Sequence, residues 1–86
     1  MTGQEYEKAF QYIYRLILDG TAKPGDKLPT ERAISETLGI SRNSTREALS
    51  IFLAMGMIER RQGSGNYVAG NFGPALKQMI YMMLAV

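Results

Sequence analysis

The sequence contains no cysteine and no histidine. Without cysteine, the chain can form neither a disulfide framework nor a thiolate metal site. Without histidine, it lacks the commonest general base and the commonest metal ligand. An enzyme would have to work with carboxylates, lysine, serine or tyrosine alone, and the sequence shows no paired carboxylates. We therefore predict that these 86 residues form neither an enzyme nor a cofactor site.

Long apolar runs and targeting patterns are also missing. Residues 1–7 lack the basic start and apolar stretch of a signal peptide. The most apolar segment, Ala75 to Val86, is too short to span a bilayer, and it contains Lys77 and Gln78. We expect one small cytoplasmic domain without a membrane partner.

The chain has little excess of positive over negative charge, with a formal net charge of +2. The distribution of charge is more informative. Residues 41–69 contain two glutamates and four basic residues, all of them arginine: Arg42, Arg46, Arg60 and Arg61. Arginine makes bidentate contacts to phosphate and to guanine. The second half of the chain is therefore the better candidate for binding nucleic acid.

The periodicity of apolar residues predicts a first helix from about Gln4 to Asp19. Its buried face comprises Tyr6, Ala9, Phe10, Ile13, Leu16 and Ile17. The segment Thr21 to Pro29 reads as a connector. Its Pro24-Gly25 pair favours a type II turn, and Leu28 is expected to tuck inward.

Two short helices joined by a tight turn are predicted next. Thr30 is a good N-cap, and Gly39 suits the left-handed position that ends a helix at Leu38. Ser41 is expected to cap the following helix, which Gly56 ends. The predicted inward faces are Ala33, Ile34 and Leu38 in the first helix, and Ala48, Leu49 and Phe52 in the second. This spacing is that of a helix-turn-helix.

A β-hairpin and an apolar segment complete the chain. Strands are predicted at Met57 to Gln62 and Asn66 to Ala69, flanking Gly63-Ser64-Gly65. After a linker that contains glycine and proline, residues 75–86 are predicted to form a helix that is apolar on nearly all sides. We expect such a helix to be buried. The predicted fold class is α+β, mostly α: a winged helix-turn-helix with three helices, a two-stranded wing and a C-terminal helical stub.

The first turn of the second motif helix is basic and rich in hydroxyls. Arg42 and Arg46 are four residues apart and share one helical face, with Asn43 and Ser44 between them. The N-terminus of such a helix can enter a major groove, where arginine pairs with guanine and asparagine with adenine. Ser41 has two candidate roles, as a helix cap and as a DNA contact.

Four short motifs resemble those of one protein family. They are Leu28-Pro-Thr-Glu-Arg32, Leu38-Gly-Ile-Ser-Arg42, Thr45-Arg-Glu-Ala-Leu49 and Arg61-Gln-Gly-Ser-Gly65, the last followed by Tyr67-Val68. In this order and spacing, the stretch from Leu28 to Ala69 resembles the DNA-binding domain of the GntR family of bacterial transcription regulators. Asn43 stands where threonine is commoner in the family.

The resemblance implies a set of DNA contacts. It assigns phosphate or base contact to Arg32, base reading to Arg42 and Arg46, and polar backbone contacts to Ser41, Asn43 and Ser44. Gln62, Gly63 and Ser64 match the tip of the wing, which reaches the minor groove.

The alternative function is a winged-helix module that binds another protein through Arg60 and Arg61 without reading DNA. For Arg60 alone, we prefer an ordinary surface role.

The resemblance also implies partners beyond this domain. Family members are usually homodimers on palindromic operators, most often repressors, with a separate C-terminal domain that senses a small-molecule effector. Residues 1–69 would form the DNA-binding domain. Residues 70–86 would be the linker and the start of a truncated effector-binding or oligomerisation domain. The apolar tail most resembles the all-helical sensor of the FadR-like subfamily.

Overall fold

A computed structural model describes residues 2–70 and 81–84. Its elements, in chain order, are α1 (Thr2–Leu18), α2 (Glu31–Leu38), α3 (Arg42–Ala54), β1 (Ile58–Arg61) and β2 (Gly65–Val68). This order confirms the predicted winged helix-turn-helix. Of the predicted C-terminal helix, residues 81–84 are helical and exposed, and the remainder lies outside the described residues. No helix in the described ranges is long and apolar enough to cross a membrane.

The core lies between α1 and α3. Ala9, Ile13 and Ile17 are buried on one face of α1, as predicted from their spacing. The ring of Phe10 stacks on that of Phe52 with centroids 4.7 Å apart. Burial of this apolar face, rather than intrinsic helix propensity, supplies most of the stability of a helix in a small domain. It also fixes α3 against α1.

The predicted helix boundaries of the motif are confirmed by its caps. The hydroxyl of Thr30 accepts a hydrogen bond from the N–H of Ala33 at 3.0 Å. Gly39 ends α2 in the left-handed conformation, with φ of 66°. The hydroxyl of Ser41 accepts from the N–H of Ser44 at 3.2 Å and starts α3. The short turn that these caps define sets the position of α3 relative to α2.

The predicted inward face of α2 is wrong at one residue. Ala33 is exposed, and the inward position is taken by Ser35, which is 5% exposed. Ser35 is accommodated because its hydroxyl donates to the carbonyl of Glu31 at 2.7 Å and lies 2.9 Å from Oγ1 of the buried Thr45. Buried polar groups are tolerated when they are hydrogen-bonded in this way. Thr45 is therefore structural, because it is fully buried and its hydroxyl lies against that of Ser35.

The wing is an antiparallel hairpin in which Ile58 pairs with Val68 and Arg61 with Gly65. The first strand is shorter than predicted. The second has the predicted length but begins and ends one residue earlier, so Gly65 lies in β2 rather than in the turn. Ile58 and Val68 are buried and fasten the base of the hairpin to the helices. The tip extends beyond this core contact, so its conformation depends on local interactions.

The connector before α2 also joins the wing, which the sequence did not predict. Lys27 forms an isolated antiparallel bridge with Tyr67. The N–H of Leu28 donates to the carbonyl of Asn66, and that of Val68 to the carbonyl of Asp26, both at 2.8 Å. A single bridge leaves no periodic pattern in the sequence, which is why the segment read as a loop. The connector therefore covers one edge of the hairpin.

Candidate nucleic-acid interface

The first turn of α3 presents polar side chains on its outer side. Ser41, Arg42, Asn43 and Arg46 are exposed, whereas Ser44 and Thr45 are buried. The arginine side chains are 63% and 56% exposed and lie one helical turn apart. Their position at the N-terminus of a capped helix is the geometry that the sequence predicted for a major-groove reader.

A single carboxylate holds both arginines. Oε1 of Glu31, the first residue of α2, accepts hydrogen bonds from Nε of Arg42 at 3.2 Å and from Nη2 of Arg46 at 3.0 Å. Oε2 of Glu31 accepts from Nε of Arg46 at 3.1 Å. The bidentate contact with Arg46 fixes the plane of that guanidinium group. Glu31 thus orients two predicted base readers from the neighbouring helix.

The hydrogen bond from Arg46 lowers the pKa of Glu31 below its ordinary value, against an opposing effect of burial, and Arg42 adds to the lowering. The same contact raises the pKa of Arg46. Glu31 is therefore ionised at neutral pH. From its place in the sequence, Glu31 is only a favourable negative charge in the first turn of α2. The residues that Glu31 contacts lie 11 and 15 positions further along the chain, so no local sequence pattern indicates these contacts.

A second carboxylate reaches the start of α3 from α1. Oε1 of Glu5 accepts from the backbone N–H of Ser41 and from the hydroxyl of Ser44, both at 3.1 Å. The hydroxyl of Ser41 donates to that of Ser44 at 3.0 Å. These contacts lower the pKa of Glu5, the backbone hydrogen bond from Ser41 most of all. Glu5 was not predicted, because 36 residues separate it from Ser41.

The two predicted serine contacts differ in accessibility. Ser41 is exposed at the residue before α3, a position that is compatible both with a helix cap and with a DNA contact. Ser44 is 3% exposed, and its hydroxyl is engaged within the protein. A DNA contact by Ser44 stays a prediction, and its geometry favours positioning the turn over touching a phosphate.

Arg32 and Arg42 line the same shallow depression beside α2. The side chain of Arg32 is 78% exposed and pairs with Glu36 at 3.0 Å. An exposed pair of this kind contributes little to stability and can be exchanged for a phosphate at small cost. The structure therefore brings Arg32 to the same side as the start of α3.

The predicted wing-tip residues, Gln62, Gly63 and Ser64, form a separate exposed group. Gly63 has φ of 77°, a left-handed conformation that favours glycine. The hydroxyl of Ser64 is hydrogen-bonded to that of Tyr67. The guanidinium carbon of Arg61 lies 4.1 Å from the centroid of the Tyr67 ring. Within the described ranges, no hydrogen bond joins this tip to the start of α3, so the interface consists of two distinct parts.

Comparison with known proteins identifies the family. The sequence model of "Bacterial regulatory proteins, gntR family" matches residues 5–68. The chain belongs to this family. Over 53 residues it is 47% identical to the HTH-type transcriptional regulator LutR of Bacillus subtilis, covering 62% of this chain and 24% of LutR. Over 63 residues it is 44% identical to the Glc operon transcriptional activator of Escherichia coli K12, covering 73% of this chain and 25% of that protein.

The chain therefore spans about a quarter of the length of these curated relatives. Both are named as transcriptional regulators, which confirms the prediction that the chain is not an enzyme. The DNA-binding domain of AraR, solved with operator ORR3, is 31% identical with a TM-score of 0.72, over 76% of this chain and 78% of that one. A GntR family regulator from Listeria monocytogenes shares the fold at 24% identity and a TM-score of 0.78, over 93% and 72%.

Proposed function

We propose that this chain binds double-stranded DNA in a sequence-specific manner and is the DNA-reading domain of a bacterial transcription regulator. Arg42 and Arg46 read bases in the major groove, Asn43 contacts the same groove, and Arg32 and Ser41 contact the backbone. Gln62, Gly63 and Ser64 reach the minor groove. The related AraR domain was solved in complex with an operator, which supports the proposal of DNA binding.

The observation that carries the proposal is the orientation of the two arginines by Glu31. Both side chains are more than half exposed, yet each is directed by hydrogen bonds to one carboxylate. Base reading requires a guanidinium at a fixed angle, because bidentate pairing with guanine tolerates little rotation. A nonspecific cationic surface would not need this arrangement.

Alanine variants of the two arginines test the base-reading role. We expect Arg42→Ala and Arg46→Ala each to cost about 1–3 kcal/mol on a preferred duplex and to relax discrimination against random sequence. The preferred duplex is obtained by enrichment of bound sequences from a random pool. Affinities for both duplexes are then measured by fluorescence anisotropy.

Arg15→Ala is the matched control. Arg15 is exposed on α1 and lies ten residues beyond Glu5, about 15 Å along the helix. We expect its variant to bind as the wild type does. Unchanged discrimination in both reader variants would contradict base reading.

Salt dependence separates this proposal from the alternative of a protein-interaction module. A DNA reader loses affinity steeply as salt rises, because its cations displace counterions from the duplex. A protein-interaction module would show no such duplex binding. Absence of binding to any enriched duplex by the folded chain would favour that alternative.

The remaining expectations concern the whole regulator. We propose a cytoplasmic homodimer on a palindromic operator, because two linked half-site contacts bind far more tightly than one. A small-molecule effector would bind a C-terminal domain of FadR-like type. A repressor role is the family's commonest, although one relative is named an activator. Sedimentation of the intact regulator with and without a palindromic duplex tests the dimer.

A further inference from the structure

The two faces of the wing differ in chemistry. Side chains alternate between the faces of a strand. The pair Ile58 and Val68 is buried against the helices, so the next pair, Glu59 and Tyr67, points away from the core. Arg61 lies two residues beyond Glu59 and shares this outward direction, as its position over the Tyr67 ring shows.

Lys27 adds a second cation to this outward side. It pairs with Tyr67 across the edge of β2, in the arrangement where the flanking residues make the hydrogen bonds. Side chains of such a pair lie on the same face and approach closely. We call the surface formed by Lys27, Arg61 and Tyr67 the outer wing face.

The side chain of Lys27 runs toward the tip of the wing across Gly65. A Cβ atom at Gly65 would lie 3.1 Å from Cε and 3.9 Å from Nζ of Lys27. Gly65 also has φ of 136°, a conformation that other residues rarely adopt. The glycine thus leaves room for the lysine stem at Gly65, the residue that follows the Gln62–Ser64 turn.

The charges of this surface are less neutralised than those of α3. Among residues 2–70 and 81–84, Lys27 makes no ion pair, and Arg61 meets Glu59 only at 4.0 Å. The hydroxyl contact between Ser64 and Tyr67 ties the surface to the tip. A bound anion would therefore find two cations next to the tip, of which Lys27 lies outside the contact between Arg61 and Glu59.

We propose that the outer wing face binds a phosphate group of the DNA backbone beside the minor groove, with Lys27 as its principal cation. This inference rests on the proposed DNA binding. The minor groove is only about 6 Å wide, so a hairpin tip that enters it brings the flanks of the sheet against the sugar–phosphate walls. Contacts of this kind add affinity without reading sequence.

Three variants of the 86-residue chain test the role of Lys27. Lys27→Met removes the charge but keeps an apolar stem over Gly65. Lys27→Arg keeps the charge. Lys23→Met is the matched control, because Lys23 is exposed on the same connector but does not pair with β2. Circular dichroism establishes that each variant is folded. Anisotropy titrations use a random-sequence duplex and an enriched duplex over a range of salt concentrations.

We expect Lys27→Met to weaken binding to both duplexes equally, by about fivefold at 0.1 M salt, and to reduce the slope of log K against log salt by about 0.9. Lys27→Arg and Lys23→Met should match the wild type. A wild-type affinity and slope in Lys27→Met would overturn the inference, as would a loss confined to the enriched duplex. If the wild type itself binds neither duplex, the proposed function fails instead, and the two failures are thereby distinguished.

Discussion

The start of α3 and the wing both carry arginines, but they hold them differently. Glu31 clamps Arg42 and Arg46 with a carboxylate whose side chain is only 19% exposed. Arg61 instead lies on an aromatic ring. A carboxylate clamp fixes the direction of a guanidinium, which base reading needs, and offsets part of its charge. A stacked arginine keeps its charge available, which suits a phosphate.

The same contrast appears in two pairs of hydroxyl groups. Ser35 and Thr45 are 5% and 0% exposed and connect α2 to α3 beneath the arginines. Ser64 and Tyr67 connect the tip of the wing to its strand on an exposed surface. Water can replace a partner in the second pair but not in the first. The start of α3 should therefore be the more sensitive region to the loss of one hydroxyl.

Thr45→Val should have the largest effect on stability. The substitution keeps the shape of the side chain but removes the hydroxyl that lies 2.9 Å from Oγ of Ser35. We expect the free energy of unfolding to fall by about 1–3 kcal/mol, because buried polar groups lose a partner that water cannot replace. Urea denaturation followed by circular dichroism measures the change.

Ser50→Ala provides the control for Thr45→Val. Ser50 lies on the same helix and is exposed. Among the described residues, its hydroxyl bonds only the carbonyl of Arg46, at 2.8 Å. Its variant should stay within about 0.5 kcal/mol of the wild type. If Thr45→Val were equally harmless, the supposed difference between buried and exposed hydroxyl pairs would be wrong.

Glu31→Gln should have an intermediate effect, on discrimination between an enriched and a random duplex. Loss of the charge releases both arginines, so binding to an enriched duplex weakens while binding to random DNA is kept or strengthened. We expect the ratio of the two affinities to fall roughly three- to tenfold, as for an ion pair whose arginines are largely exposed. Glu47→Gln, on the outer side of α3, is the control.

The pH dependence of stability checks the same clamp. Because the pKa of Glu31 in the folded chain lies below its ordinary value of 4.5, the clamp stabilises the fold above that pH and is lost as the pH falls below it. The stability difference between wild type and Glu31→Gln should therefore shrink on acidification. A difference that stays constant from neutral to acidic pH would show that the charge of Glu31 contributes nothing to folding.

Tyr67→Phe should have the smallest effect on stability. It removes the hydroxyl that bonds Ser64 but retains the ring beneath Arg61. We expect a loss below about 0.5 kcal/mol, since solvent replaces the exposed contact. Thermal unfolding measures it. A loss as large as that of Thr45→Val would show that the wing is held as tightly as the start of α3.

The elements of this fold that could be predicted from sequence are those with local causes. Thr30, Gly39 and Ser41 act on residues within one turn, so their caps were evident before the structure. The spacing of Arg42 and Arg46 likewise placed both on one helical face. Burial was less predictable, because Ser35 takes the inward place of Ala33 with the help of a hydrogen bond to Thr45 on α3.

The contacts that organise the candidate interface could not be predicted, because they are distant in sequence. Glu31 reaches across to α3, and Glu5 reaches Ser41 from another helix. The bridge between Lys27 and Tyr67 has the same character. A glutamate or lysine on a helix or loop is ordinary in composition, and only the packing of three separate segments gives these residues their partners.

The contact between Glu5 and the start of α3 determines where a transferable segment of this domain must begin. The helix-turn-helix and wing alone, from Thr30 onward, would leave the N–H of Ser41 and the hydroxyl of Ser44 without their shared acceptor. The family match begins at this same glutamate. A chimaera that joins this domain to another regulator should therefore include Glu5. A fusion partner placed before Glu5 must leave the first turn of α1 intact.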